Sequence, residues 1–309
     1  MKQRRKVLVI AGPTATGKTA CGIRLARKLG GEIISGDSML VFRGMDIATA
    51  KPSREEQEAV PHHLIDICDP ADKFTVVDFQ EQATRLIEEI SQRRRLPIIV
   101  GGTGLYLKAL LENYHFSSVN ESASRREALS AYADTYGNEA LHAKLAGLDP
   151  AAAERLKIND RRRIIRAIEA REGGDCVSQK KDVVSPFDAF VFGLSMERPV
   201  LYERINRRVD LMVEAGLFEE ARRFYDAGVP EEAQSMKSIG YRQAIQYFKG
   251  ELTREACIEK IKQATRNFAK RQITWYKKMP YIHWVMLDAQ PDYEACAARM
   301  EQMLSGWYL

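Results

Sequence analysis

Cysteine is scarce in this chain: Cys21, Cys68, Cys176, Cys257 and Cys296 are scattered over 309 residues. No two form a Cys-x-x-Cys pair and none has a histidine at zinc-finger spacing, which excludes a disulfide framework and a conventional structural zinc site. A reduced, cytoplasmic setting is the expectation that follows. Long apolar runs are also missing. No stretch approaches the roughly 18–20 residues of a membrane span. After the basic start Met1-Lys2-Gln3-Arg4-Arg5-Lys6, the run Val7-Leu8-Val9-Ile10 is too short for a signal peptide and leads straight into a glycine loop. Neither internal repeats nor low-complexity tracts occur. Charge of one sign is in slight excess only, 47 Lys and Arg against 42 Asp and Glu. With 45% hydrophobic and 29% charged residues, this balance excludes a disordered chain or a fibre. The length predicts about two domains.

The positive charge is concentrated. Glu251–Pro280 holds eight Lys or Arg against three acids, enough to account for the whole net charge of +5. Further clusters are Arg161-Arg162-Arg163 with Arg166, and Arg204, Arg207 and Arg208. Such clusters suit a polyanion, or else form solvated helix faces.

Apolar strands alternate with helices in both flanks of the sequence. Residues 6–12 predict a buried strand and Lys18–Leu29 a helix. Glu32–Ser35 and Pro97–Val100 predict further strands. Between them a helix opens at the capping box Thr75-x-x-Asp78 and runs to about Arg94. This alternation predicts α/β architecture, a parallel sheet flanked by helices. Between residues 113 and 188 apolar strands vanish and Ala, Arg and Glu dominate, which predicts an all-helical insertion. It ends in Gly173-Gly174 and the polar loop Ser178–Asp182. The expected core is therefore 1–112 with 189–309, and the insertion 113–188. Ala189–Leu194 and Ile282–Leu287 complete the strands, and Pro199 opens a helix. On the basic helix before the last strand, Ile258, Ile261, Thr265, Phe268 and Trp275 form the expected buried stripe.

The sharpest motif is Gly12-Pro13-Thr14-Ala15-Thr16-Gly17-Lys18-Thr19, which fits G-x-x-x-x-G-K-S/T between a strand and a helix. Backbone N–H groups of such a loop curl around an anion, and the helix N-terminus adds positive potential. Lys18 neutralises phosphate oxygens and the Thr19 hydroxyl can ligate Mg²⁺. The loop predicts a di- or triphosphate site. A P-loop kinase would add an aspartate at a strand end; Leu64-Ile65-Asp66 reads more naturally as an ordinary strand end, and no Asn-Lys-x-Asp element for guanine is present. A small-molecule kinase, with Arg161–Arg166 as lid arginines, stays open on these motifs. Asp37 follows the second strand, at the edge where open α/β sheets bind ligands, and could accept a proton there or simply cap a turn. His62-His63 lacks supporting ligands and reads as structural. Tyr241, Trp275 and Tyr276 lie near basic residues, where base stacking competes with core packing as their role.

In order along the chain stand the phosphate loop, Ser35-Gly36-Asp37-Ser38, Gly44–Pro52, Val100-Gly101-Gly102-Thr103-Gly104-Leu105-Tyr106, Asn159–Glu169, Ser238–Gln243 and Lys270–Trp275. Together these segments closely resemble the tRNA dimethylallyltransferases, the bacterial tRNA isopentenyltransferases. The chain departs from the common pattern at Leu40, Phe42 and Ala48, where many members carry Gln, Tyr and Gly.

The resemblance implies a P-loop NTPase-like core. It also implies transfer of a dimethylallyl group from dimethylallyl diphosphate to the N6 amine of the adenosine 3′-adjacent to the tRNA anticodon. It assigns Asp37 as the base, Arg208 (with Arg204 as the neighbour it could be confused with) as the arginine on the diphosphate, and Thr103 as the group positioning the adenine. Gly12 to Thr19 would hold the diphosphate with Mg²⁺ on Thr19. Asp37, Ser38, Met39, Leu40, Thr103, Arg125, Arg162, Arg163, Arg166, Lys237, Gly240, Tyr241, Arg242 and Gln243 would contact the anticodon stem-loop. Reading the base requires flipping it into a channel. Within the resemblance, prenylation of free adenine nucleotides is the near alternative. No membrane partner is expected, and a monomer is the default.

Overall fold

The computed structural model of the chain describes residues 4–114, 123–173 and 185–308. The chain divides into two compact units, Met1–Asn113 with Ser185–Leu309, and Tyr114–Val184. The first unit is built on six parallel strands: β1 (Lys6–Ala11), β2 (Gly31–Ser35), β3 (His62–His63), β4 (Leu96–Gly101), β5 (Asp188–Ser195) and β6 (Ile282–Met286). Their order is β3-β2-β4-β1-β5-β6, with every neighbouring pair parallel. The strands read as apolar runs because helices cover both faces. Val7, Val9 and Ala11 of β1 enter one core layer, whereas Leu8 and Ile10 enter the other.

In chain order the helices are α1 (Lys18–Leu29), α2 (Arg54–Ala59), α3 (Val76–Gln92), α4 (Gly104–Leu111), α5 (Ala123–Leu148), α6 (Pro150–Arg155) and α7 (Arg161–Glu172). After β5 come α8 (Arg198–Glu214), α9 (Leu217–Asp226), α10 (Tyr241–Phe248), α11 (Arg254–Tyr276) and α12 (Tyr293–Tyr308). The capping box at α3 forms as expected, with Thr75 and Asp78 each satisfying the other's backbone N–H. Pro199 takes the second position of α8, not the first. Helices α1 and α12 pack on one face of the sheet; α3, α4, α9 and α10 pack on the other, and α8 and α11 contribute to both core layers.

The second unit is helical throughout its described residues. Helix α5 is broken at Gly137, whose φ of 87° no other residue adopts readily. Leu129, Ala133, Leu141, Leu145, Ile164, Ile165 and Ile168 form its core. That burial turns Arg162, Arg163 and Arg166 of α7 outward onto one exposed face. The expected polar loop over residues 178–182, together with Gly174, lies outside the described residues.

Three expectations change in detail. The buried stripe of α11 is Cys257, Ile261, Ala269, Gln272 and Tyr276, with Thr265, Phe268 and Trp275 only partly covered. Apolar periodicity passed over Gln272 because it is polar. Residues 62–63 form the short edge strand β3, and the two histidines bond on opposite sides. His62 Nδ1 meets the Val60 carbonyl at 2.7 Å, and His63 Nε2 meets Glu32 Oε2 at 2.8 Å. Asp66, read as an ordinary strand end, lies beyond β3 at φ 54° and accepts from Lys51 Nζ, which also bonds Asp46 and the Phe42 carbonyl.

Candidate active site

Strand β1 delivers the chain at Ala11 into the loop Gly12–Gly17, and α1 begins at Lys18. Gly17 caps this helix with φ 85°, and a Cβ there would overlap the Tyr293 ring. No side chain caps the helix and no acid lies in its first turn, so its free N–H groups face outward as an anion cradle. Inside the loop, Thr16 Oγ1 and Lys18 Nζ both donate to the Pro13 carbonyl at 2.8 Å. Ala15 holds φ 66°, unusual for a residue with a side chain. Its carbonyl accepts from Arg204 Nε at 3.1 Å, and the same guanidinium donates to Tyr293 Oη (2.7 Å) and the Ala289 carbonyl (3.3 Å).

One helical turn further along α8, Arg208 has a different environment. It makes no hydrogen bond or ion pair among the described residues. Burial lowers its proton affinity, opposed by the nearby Asp37 carboxylate. Lys18 feels the same field: burial pushes it down to about 8, with Asp37 opposing and Arg208 adding to the shift. Asp37, Lys18 and Arg208 therefore share one electrostatic site. Two cations there lack a full set of partners, which is the signature of an anion site.

The Asp37 loop is fixed from two sides. Asp37 Oδ1 accepts from the Met39 N–H at 2.9 Å, leaving Oδ2 without a donor among the described residues. The Ser38 N–H donates to Thr103 Oγ1 at 3.0 Å, and the Thr103 N–H donates to the Gly36 carbonyl at 3.2 Å. Strand β4 can bring Thr103 this close because Gly101 crosses Gly36 where any Cβ would overlap the Gly36 backbone. Ser38, Met39 and Leu40 are partly exposed beside it.

Two residues that the sequence did not single out hold these loops. Gln272, 5% exposed, accepts from the Thr14 N–H at 2.9 Å and donates to the Gly102 carbonyl at 2.8 Å. Glu220 of α9, also buried, accepts the N–H groups of Asp46, Ile47 and Ala48 and the hydroxyl of Tyr241. This corrects the reading of two residues as RNA contacts. Tyr241 is fully buried, and Gln243 is buried with Oε1 accepting from the Gly240 N–H at 3.0 Å. Their side chains brace the chain from inside, and Gly240 at φ 103° is buried with them. Lys237 and Arg242 point outward from the same segment. In the helical unit, Arg125 pairs with Glu172 and Arg163 with Asp160, while Arg162, Arg163 and Arg166 remain exposed.

Among the described residues no cluster of three or more His, Cys, Asp or Glu could hold a metal, and no helix is long and apolar enough to cross a membrane. The Thr19 hydroxyl makes no hydrogen bond within the described residues.

Comparison with known proteins gives one answer. The family model described as IPP transferase matches residues 40–279. The tRNA dimethylallyltransferase of Shouchella clausii is 48% identical over 292 residues, covering 94% of this chain and 93% of that one. Among solved structures, a full-length tRNA isopentenylpyrophosphate transferase from Bacillus halodurans superposes with TM-score 0.76 at 44% identity, covering 99% and 97% of the two chains. A eukaryotic dimethylallyltransferase acting on tRNA superposes with TM-score 0.80 at 28% identity, over 98% of this chain and 80% of that one.

Proposed function

The chain belongs to the IPP transferase family, and from that premise we propose how its residues transfer a dimethylallyl group to tRNA. The donor is dimethylallyl diphosphate, and the acceptor is the N6 amine of the adenosine 3′-adjacent to the anticodon. The observation that carries the reading is the shared field of Asp37, Lys18 and Arg208 at the mouth of the phosphate loop.

The phosphate loop here stabilises a leaving group instead of presenting a phosphoryl group for attack. As the allylic carbon–oxygen bond stretches, its electron pair leaves with the diphosphate. The first-turn N–H groups of α1, Lys18 and Arg208 meet that growing charge. Arg208 is preferred over Arg204 because the Arg204 guanidinium is already engaged by Ala15, Ala289 and Tyr293. Mg²⁺, held on the protein side by Thr19, would supply further neutralisation of the diphosphate.

The adenine amine is a weak nucleophile because its lone pair is delocalised into the ring. Asp37 Oδ2, without a protein donor, is available to accept the amine proton as the carbon–nitrogen bond forms. Thr103, bonded to Ser38, would position the base beside it. Phosphate contacts from Arg125, Arg162, Arg163, Arg166, Lys237 and Arg242 would hold the stem-loop while the base is flipped out.

The test is incubation with Mg²⁺, labelled dimethylallyl diphosphate and unmodified tRNA, with labelled ATP as the parallel donor. Label enters tRNA in the parent and falls by about 10²–10⁴-fold in Asp37→Ala while tRNA affinity is kept. Near-normal turnover in Asp37→Ala sinks its role as base. ATP consumption without prenylation sinks the transferase reading.

A further inference from the structure

Gln272 has no part in the chemistry above, yet it is one of the few polar side chains buried beside the site. An amide placed there needs partners at both ends. Its oxygen takes the Thr14 N–H of the phosphate loop, and its nitrogen gives to the carbonyl of Gly102, one residue before Thr103. An amide offers an acceptor and a donor at one tip whatever the pH: an ionised carboxylate would face the Gly102 carbonyl with a second acceptor, and an aliphatic chain would satisfy neither. The fit is close, for a Cβ on Gly102 would lie 2.5 Å from Gln272 Nε2 and 3.7 Å from Lys18 Nζ. The next turn of α11 extends the contact. Trp275 fills the space over Gly104, and Tyr276 is fully buried near enough to Asp37 to feel its charge.

We infer that Gln272 is a positioning residue: it fixes the separation between the loop that takes the leaving diphosphate and the loop that orients the attacking adenine. The inference rests on the transferase reading above. Both partners are backbone groups, so Gln272 controls where the loops lie without touching either substrate. Loosening that spacing leaves each substrate its own contacts but spoils their alignment, and a misplacement of about 1 Å costs on the order of 10²-fold in rate. The loss therefore belongs in kcat and not in KM.

Steady-state kinetics of the full chain with labelled dimethylallyl diphosphate and unmodified tRNA test this. Gln272→Met, similar in length and unbranched, is expected to lower kcat by about 30- to 100-fold with both KM values within about threefold of the parent. Gly102→Ala should do the same by displacing the amide. Combined with Gln272→Met it should cost less than about threefold more, because the hydrogen bonds that Gly102→Ala displaces are already gone. Parent-like kcat in Gln272→Met, a loss confined to KM, or fully additive losses in the double variant overturns the inference. If Gln272→Met fails to fold, Gly102→Ala alone decides, and an unchanged kcat there overturns it. A parent chain that puts no label into tRNA instead sinks the transferase reading on which the inference stands.

Discussion

Arg204 and Arg208 stand one turn apart on α8, and their surroundings predict opposite effects on stability. Arg204→Met strips three hydrogen bonds from the Ala15 and Ala289 carbonyls and Tyr293 Oη. At roughly 1 kcal/mol net for each, the loss is about 3 kcal/mol. In a chain of this size that lowers the melting temperature by about 6 °C. Arg208→Met removes a desolvated cation that lacks a bonded partner, so it should raise stability by about 1 kcal/mol, or about 2 °C. Activity runs the other way. Without Arg208, turnover should fall by about 10²–10³-fold, the usual loss of one charge stabiliser at a developing anion. Without Arg204, turnover per folded molecule should stay within about tenfold. Calorimetric melts with and without inorganic diphosphate supply the decisive comparison. At a hundred times its Kd, diphosphate stabilises the parent by about 2.7 kcal/mol, and the Arg208 variant should lose most of that shift. A lower melting temperature in Arg208→Met than in Arg204→Met, or an undiminished diphosphate shift without Arg208, refutes the reasoning.

Burial holds Lys18 near 8, so raising the pH through that value discharges it and weakens anion binding. Sulfate, which does not titrate in this range, should bind about tenfold more weakly at pH 9 than at pH 7, and Lys18→Arg should flatten the profile; a flat parent profile contradicts the assignment. Glu220→Gln leaves one carbonyl oxygen to serve three backbone N–H groups and a phenol. It should cost about 2–3 kcal/mol and open residues 46–48 to protease, and unchanged cleavage would count against the brace. Arg162→Gln with Arg166→Gln should reduce the slope of log affinity for tRNA against log salt by about 2. An identical slope would return both arginines to a solvated face.

The phosphate loop was legible because its chemistry is local: eight consecutive residues carry the turn, the cation and the helix start. Asp37 was legible for a related reason, since it follows an apolar strand and parallel sheets gather those ends at one edge; Thr103 came from the family resemblance. What escaped are the long-range partners. Gln272 bonds Thr14 across most of the chain, and a glutamine on a basic helix looks like any surface amide until packing buries it. Glu220 sits among exposed-looking charges on α9, and only the fold brings three N–H groups to it. Tyr241 and Gln243 were taken as RNA contacts from the family resemblance, and their burial shows only once the helix phase that turns them inward is known. The preference for Arg208 over Arg204 draws on Tyr293, which lies far away in the sequence and covers Gly17.

The strand order has a consequence for synthesis. Strand β1 is made first, yet one of its neighbours is β5, with Lys6 opposite Asp188 and Ala11 opposite Gly193. At about 5–20 residues per second, a ribosome needs roughly 10–40 s to reach β5 after finishing β1. Throughout that interval the uncharged run Val7–Ala11 has an unpaired edge, the kind of segment that templates strand addition between chains. The residues between the two halves of the sheet thus act as a delay in assembly. Moving the chain start to residue 185 by circular permutation would make β5 before β1, so Val7–Ala11 would meet this neighbour as soon as it is made, and the wait, now that of β5, would shrink to the time needed for about 120 residues.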